Sequence, residues 1–224
     1  MSDIDNLPFM HIAIEGVLKS GKTKLAKIFA GKLGGQSIFD RADNPYLKDF
    51  YEEKEGGAFL TQLVFLVNRY HQQAGRLQRD LFAERIISDY LFEKDKIYAY
   101  QTLTDDELIV YEKIFGIFSE RIAKPDLAIY LQLSVQTVLK RIAKTGTALE
   151  KNISEKYLED IISAFNYFFF NYHSTPLLVV KADELDFNRE EQIDDLIEKI
   201  KQMKTSPLFY VPLEESQADL KKER

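Results

Sequence analysis

The eight residues Gly16-Val17-Leu18-Lys19-Ser20-Gly21-Lys22-Thr23 match the pattern G-x-x-x-x-G-K-[ST], and their flanks decide what the match means. Before them, Phe9-Met10-His11-Ile12-Ala13-Ile14 is a short apolar run of the kind that forms a buried interior strand. From Lys22 onward, Leu25, Ile28, Phe29 and Leu33 recur at helical spacing, and Gly34-Gly35 supplies a stop. A strand, a glycine-bearing loop and a helix in that order make a phosphate cradle. The glycines let the backbone curl so that its N–H groups face phosphate oxygens, and the helix N-terminus adds partial positive charge. Lys22 is expected to reach the β- and γ-phosphates of a nucleoside triphosphate, and the Thr23 hydroxyl to ligate Mg²⁺. Lys24 and Lys27, further along the helix, read as a solvated face.

Three later apolar runs have the length and composition of interior strands: Arg85-Ile86-Ile87-Ser88, Leu127-Ala128-Ile129-Tyr130-Leu131 and Leu177-Leu178-Val179-Val180. Helical segments separate them. Residues 57–78 carry apolar side chains on several faces, as a helix inside a bundle does. Thr104-Asp105-Asp106-Glu107 is a capping box, with Leu108, Tyr111, Phe115 and Phe118 following on one face. Further helices are expected over 135–144, 155–172 and 188–203, the last with Ile193, Leu196, Ile197 and Ile200 at i, i+3, i+4, i+7. Strands alternating with helices imply a parallel sheet covered on both faces, an α/β fold of three layers. Residues 214–224 are charged, lack an apolar face and read as a mobile tail.

Composition narrows the function classes. A chain of 224 residues accommodates one α/β domain, and 45% hydrophobic residues exclude a disordered chain. No apolar stretch approaches the ~20 residues that cross a bilayer, and residues 1–8 lack the segments of a signal peptide, so a cytoplasmic protein with no membrane partner is expected. With no Cys and three scattered His, redox and zinc chemistry are not expected. A net charge of −6 argues against broad nucleic-acid binding, which leaves a local nucleotide site.

The phosphate loop, together with Asn44-Pro45-Tyr46-Leu47-Lys48-Asp49-Phe50-Tyr51, residues 62–70 and Ser88-Asp89-Tyr90, resembles the bacterial deoxynucleoside kinases in order and spacing. Lys124-Pro125-Asp126-Leu127, Arg141 ahead of a short lid at about 144–151, and residues 167–172 before Pro176 extend the resemblance over roughly residues 9–202. It implies transfer of the γ-phosphoryl group of ATP, with Mg²⁺, to the 5′-hydroxyl of a deoxynucleoside. It also implies a P-loop NTPase-type domain over residues 1–204 with a five-stranded parallel sheet, and a homodimer packed through helices. Residues 205–224 then form a C-terminal extension. In that resemblance Gln62 reads the base and Arg69 stands on the substrate side. The seven-residue spacing supports the pairing independently, because it puts both on one helix face about 10 Å apart, and a Gln amide offers a base edge both a donor and an acceptor. Asp89, ending an apolar strand, resembles the acidic position beside the metal, and Tyr51 and Phe59 are candidates to line the nucleoside pocket.

Two positions depart from the resembling pattern. The family's general base lies five residues before the Asn-Pro pair; here that residue is Phe39, which leaves Asp40 as the candidate base. Strand alternation aims Asp40 away from the acceptor unless the strand ends or bulges first. The lid reads Lys144-Thr145-Gly146-Thr147-Ala148-Leu149-Glu150-Lys151 where the family carries further arginines, so Arg141 is the arginine expected to stabilise transfer. A catalytically impaired nucleotide-binding protein with a regulatory role is the alternative. A nucleoside monophosphate kinase would need extra cations for the acceptor phosphate, and Tyr90 follows Asp89 in place of an arginine.

Overall fold

The computed structural model describes residues 7–41, 43–74 and 85–212. The expected strand, loop and helix at the start are β1 (His11–Gly16) and α1 (Lys22–Leu33), with Gly34 closing the helix in a left-handed conformation at φ 64°. Next come β2 (Gly35–Ile38), α2 (Leu47–Tyr51), α3 (Gly57–Ala74), β3 (Arg85–Ser88), α4 (Lys94–Thr102) and α5 (Asp105–Ser119). After β4 (Leu127–Gln132) and α6 (Val135–Thr145), a 3₁₀ turn (Glu150–Asn152) leads into α7 (Glu155–Phe170). The chain then runs through β5 (Leu177–Lys181), α8 (Glu190–Lys201) and β6 (Leu208–Tyr210). The part of the expected helix beyond Ala74, and the tail at 214–224, lie outside the described residues.

Among the described residues the sheet has six strands, all parallel, in the order β2-β3-β1-β4-β5-β6. The expectation was five strands. The sixth, Leu208–Tyr210, falls in the segment expected as an extension, and three residues at a sheet edge are too few to give a periodic signal. The central strands are apolar because they are covered on both faces; β1 has five of six residues buried. α1 packs Leu25, Ala26, Phe29 and Leu33 into the main core, and each large side chain so buried contributes roughly 1.5–3 kcal/mol. A second cluster, Leu66, Phe92, Ala99, Tyr111 and Phe115, joins α3, α4 and α5. The capping box forms as read: Glu107 N–H donates to Thr104 Oγ1 at 3.4 Å, and Thr104 N–H donates to Glu107 Oε2 at 3.0 Å. Among the described residues no helix is long and apolar enough to cross a membrane.

The topology places the site. From β1 the chain crosses outward to β2 and returns to β3, whereas β4 lies on the other side of β1. The direction of winding therefore reverses beside β1, and the loops leaving the carboxyl ends of β1, β3 and β4 part around a crevice.

Candidate active site

The phosphate loop is shaped by contacts that exclude side chains. Gly21 caps α1 at φ 92°, and a Cβ there would lie 2.4 Å from the Phe187 ring. A Cβ on Gly16 would lie 2.8 Å from Ser20 Oγ and 2.9 Å from the Leu131 carbonyl. Within the turn, Ser20 N–H donates to the Val17 carbonyl at 3.0 Å. α1 has no acidic residue in its first turn and no side chain capping it, so its leading N–H groups and partial positive charge remain available to an anion. Lys22 Nζ donates to the Gly16 carbonyl at 2.8 Å and lies 3.9 Å from the Glu15 carboxylate. Burial lowers the Lys22 pKa, with Glu15 opposing and the like charge of Lys94 assisting.

Asp89, just past β3, joins the two ends of the crevice. Its carboxylate accepts the Thr23 hydroxyl on one oxygen and the Asp40 N–H, at 2.6 Å, on the other. β2 ends at Ile38, so the alternation that would have turned Asp40 outward stops short of it. The Asp40 carboxylate faces inward, accepting from Arg69 Nε at 2.9 Å, Arg69 Nη2 at 2.7 Å and Lys94 Nζ at 2.6 Å. Phe39 lies half-exposed, with Lys27 Nζ 5.3 Å from its ring centroid.

The remaining Arg69 nitrogen, Nη1, pairs with the fully buried Asp95. Lys94 also lies 3.6 Å from Glu15, whose carboxylate accepts the N–H groups of Gly16 at 2.8 Å and Leu91 at 2.9 Å. Charges of alternating sign thus run from the phosphate loop to the far side of the crevice: Lys22, Glu15, Lys94, Asp40, Arg69, Asp95. Burial alone would raise the Asp40 pKa, but Lys94 and Arg69 outweigh it and hold the carboxyl well below the usual carboxylate range. Asp40 is therefore a fixed anion. It can orient a hydroxyl by accepting its hydrogen bond, and it is a weak base.

Gln62 and Arg69 are both buried on α3, and Gln62 Nε2 donates to Thr102 Oγ1 at 3.4 Å. Tyr51 lines a cavity of about 500 Å³ with Phe50, Thr102, Ile153 and Tyr157. Burial, and then the nearby Glu150 carboxylate, raise the Tyr51 pKa. Phe59 instead packs against the second core cluster. On the lid side, Arg141 donates to the carbonyls of Lys19 at 2.9 Å, Ser20 at 3.2 Å and Ala182 at 3.2 Å, which fixes the outer wall of the phosphate loop. Lys19 Nζ meets the Glu150 carboxylate at 2.9 Å and the Thr145 carbonyl at 3.2 Å.

Sequence reasoning missed Glu15, Lys94, Asp95 and Glu150. Glu15 carried a signal, being an acid inside an otherwise apolar strand. Lys94 and Asp95 carried none, because a charged pair at a helix start is usually solvated. Thr23 and Asp89 set two hard oxygen donors side by side, which fits Mg²⁺, an ion held by one or two carboxylates together with substrate phosphates.

Comparison with known proteins reaches both ends of this crevice. The family model described as deoxynucleoside kinase matches residues 12–204. Deoxyguanosine kinase of Bacillus subtilis (strain 168) is 37% identical over 164 residues, covering 72% of this chain and 78% of the relative. Deoxyadenosine kinase of Dictyostelium discoideum is 29% identical over 196 residues, covering 84% and 77%. Among solved structures, deoxyadenosine kinase from M. mycoides with bound dATP superposes with a TM-score of 0.72 at 27% identity, covering 85% of this chain and 99% of that one. Since the matched span includes the phosphate loop, the Asp40–Arg69–Asp89 cluster and the lid alike, the chain belongs to the deoxynucleoside kinase family.

Proposed function

We propose that this chain transfers the γ-phosphoryl group of ATP to the 5′-hydroxyl of a deoxynucleoside. The observation that carries the reading is Asp89, whose two oxygens tie the phosphate loop to the Asp40–Arg69 cluster and so set a donor end against an acceptor end. In the transfer, a bond forms between phosphorus and the 5′-oxygen while the bond to the β,γ-bridging oxygen breaks, its electrons passing to the diphosphate. Lys22 and the α1 N-terminus hold the phosphates, and Arg141 braces the loop from behind. Asp40 accepts the hydrogen bond of the 5′-hydroxyl and takes its proton late in a loose transition state, when the oxygen already bonded to phosphorus is acidic enough to need no strong base, then passes it to solvent. Gln62 forms the base end, Arg69 on the substrate side holds Asp40 toward the 5′-hydroxyl, and Tyr51 stands on the wall facing the lid. Bound at Thr23 and Asp89, Mg²⁺ would neutralise phosphate charge.

A purine deoxynucleoside is the first substrate to test, because the relatives' names give deoxyguanosine or deoxyadenosine most often, with deoxycytidine named beside deoxyadenosine in one. The working organisation is a kinase domain over 1–204 with a lid at 144–151 and an extension beyond whose first part, β6, completes the domain's sheet, in the cytoplasm. A homodimer accounts for the face where Tyr100, Tyr167 and Phe170 are exposed beside a groove of about 840 Å³ between α4, α5 and α7. Charge substitution at Tyr167 and Phe170 is expected to halve the mass measured by light scattering. The function itself is tested by incubating the protein with γ-labelled ATP, Mg²⁺ and each of the four deoxynucleosides. Label is expected on at least one, and transfer to none would overturn the reading.

A further inference from the structure

The cations that could meet the transferring phosphoryl group are distributed unusually here. Within residues 144–151 the basic side chains are Lys144 and Lys151, both exposed. Arg141 has its guanidinium occupied by three backbone carbonyls, so it serves as a brace. Beside Lys22, which is held at the Gly16 carbonyl, the phosphate loop carries Lys19, which extends its ammonium to the lid, against Glu150 and the Thr145 carbonyl.

Two further observations mark Lys19. Its backbone lies at φ 60°. An L-residue there is strained where glycine is not, so the side chain is kept against a local penalty. Its ion pair with Glu150 is also an exchangeable one. The two side chains are 21% and 16% exposed, so water reaches the pair and screens it. A phosphate bearing more than one charge is the stronger partner. Glu150 does not depend on Lys19 to keep its place: its carboxylate accepts the Thr147 N–H at 2.6 Å, and its own N–H donates to Thr147 Oγ1 at 3.2 Å. The lid turn therefore stays formed when the ammonium leaves.

We propose that Lys19 is a second catalytic cation of this site, beside Lys22. With no triphosphate bound, Glu150 holds its ammonium at the lid. When a triphosphate enters, the ammonium moves onto the γ-phosphoryl oxygens and neutralises their charge as the group passes to the acceptor. Lys19 stays protonated throughout, and the bonds made and broken are those of the transfer itself. The phosphate loop thereby supplies the charge that an arginine-poor lid does not. This inference rests on the phosphotransfer reading above.

The test compares wild type, Lys19→Gly, and Lys19→Gly combined with Thr145→Arg and Thr147→Arg. Glycine suits the φ of 60°, so the variant should melt no lower than wild type. We expect Lys19→Gly to lower kcat at least about 100-fold with the deoxynucleoside KM changed less than about threefold, and the two lid arginines to recover at least about tenfold. Turnover unchanged in Lys19→Gly, or no recovery with the arginines, would overturn the proposal. A second arm needs no turnover: calorimetry with a non-hydrolysable triphosphate analogue and with ADP. Lys19→Gly should weaken the triphosphate analogue at least about tenfold more than ADP, and equal weakening overturns the proposal. If wild type phosphorylates none of the deoxynucleosides, the function reading fails while this arm still decides the role of Lys19.

Discussion

The two ends of the crevice proposed to take donor and acceptor are built in opposite ways. At the donor end the recognising groups are backbone N–H donors and a helix terminus, supplied by eight consecutive residues whose glycines are imposed by the Phe187 ring and the Leu131 carbonyl. At the acceptor end they are side chains from four segments: Asp40 after β2, Arg69 on α3, Asp89 after β3, and Lys94 with Asp95 on α4. A backbone cradle tolerates change in most of its side chains. The buried run Lys94, Asp40, Arg69, Asp95 does not, because removing one of these strands its neighbours in a medium that solvates ions poorly.

The largest effect that would sharpen this contrast is at Lys22. Lys22→Ala should reduce phosphoryl transfer by about 10³-fold or more while leaving the melting temperature within a few degrees; a large stability loss would break the distinction between the two ends. Arg69→Ala should do the reverse. It leaves Asp40 and Asp95 without their shared counter-ion, and denaturant unfolding should report a loss of about 3–4 kcal/mol.

The acid response separates the acceptor end from the rest of the fold. Asp40 has a folded pKa below its ordinary 3.8, so its contribution is complete above that pH and is lost only at lower pH. His11, hydrogen-bonded to Ser88 Oγ at 3.2 Å, has its pKa lowered from 6.5 to about 4 by burial, with Asp126 opposing. As pH falls the unfolded chain therefore takes up that proton first, and His11's contribution, full above 6.5, is lost between 6.5 and 4. Wild type should lose about 2–3 kcal/mol across that window, and His11→Gln should flatten the profile. A profile still steep in His11→Gln would place the titrating group elsewhere.

The smallest effect is a control on glycine. Gly34, at φ 64° with open space where a Cβ would stand, should cost about 1 kcal/mol on change to Ala, with activity kept. Gly21→Ala adds the Phe187 contact to the same backbone penalty and should abolish nucleotide binding.

What could be read from the sequence follows the same division. The phosphate loop, the capping box at Thr104 and the doubly covered strands β1, β4 and β5 are local patterns, fixed by contiguous residues. β2 reads Gly35-Gln36-Ser37-Ile38, a four-residue edge strand with one buried side chain, and carries no apolar run to announce it. Its end at Ile38 decides where Asp40 points, so the direction of that carboxylate is not legible in the sequence. Lys94 and Asp95 look like solvated charges, and only the arrival of Asp40 and Arg69 from distant segments makes their burial tolerable. Phe59, with a helical spacing that suits either a pocket wall or a core, takes the core.

The sixth strand bears on how this protein behaves in solution. β6 pairs along the outer side of β5, and the Tyr210 hydroxyl fastens it to α8 through Asp195 at 3.0 Å. Cutting the chain after Lys204 would leave the Leu177–Lys181 strand, four of whose five residues are buried, with an open row of backbone donors and acceptors. An unprotected apolar edge of that kind recruits strands from other molecules. A truncated version should therefore precipitate at concentrations where the full chain stays clear, however intact its nucleotide crevice.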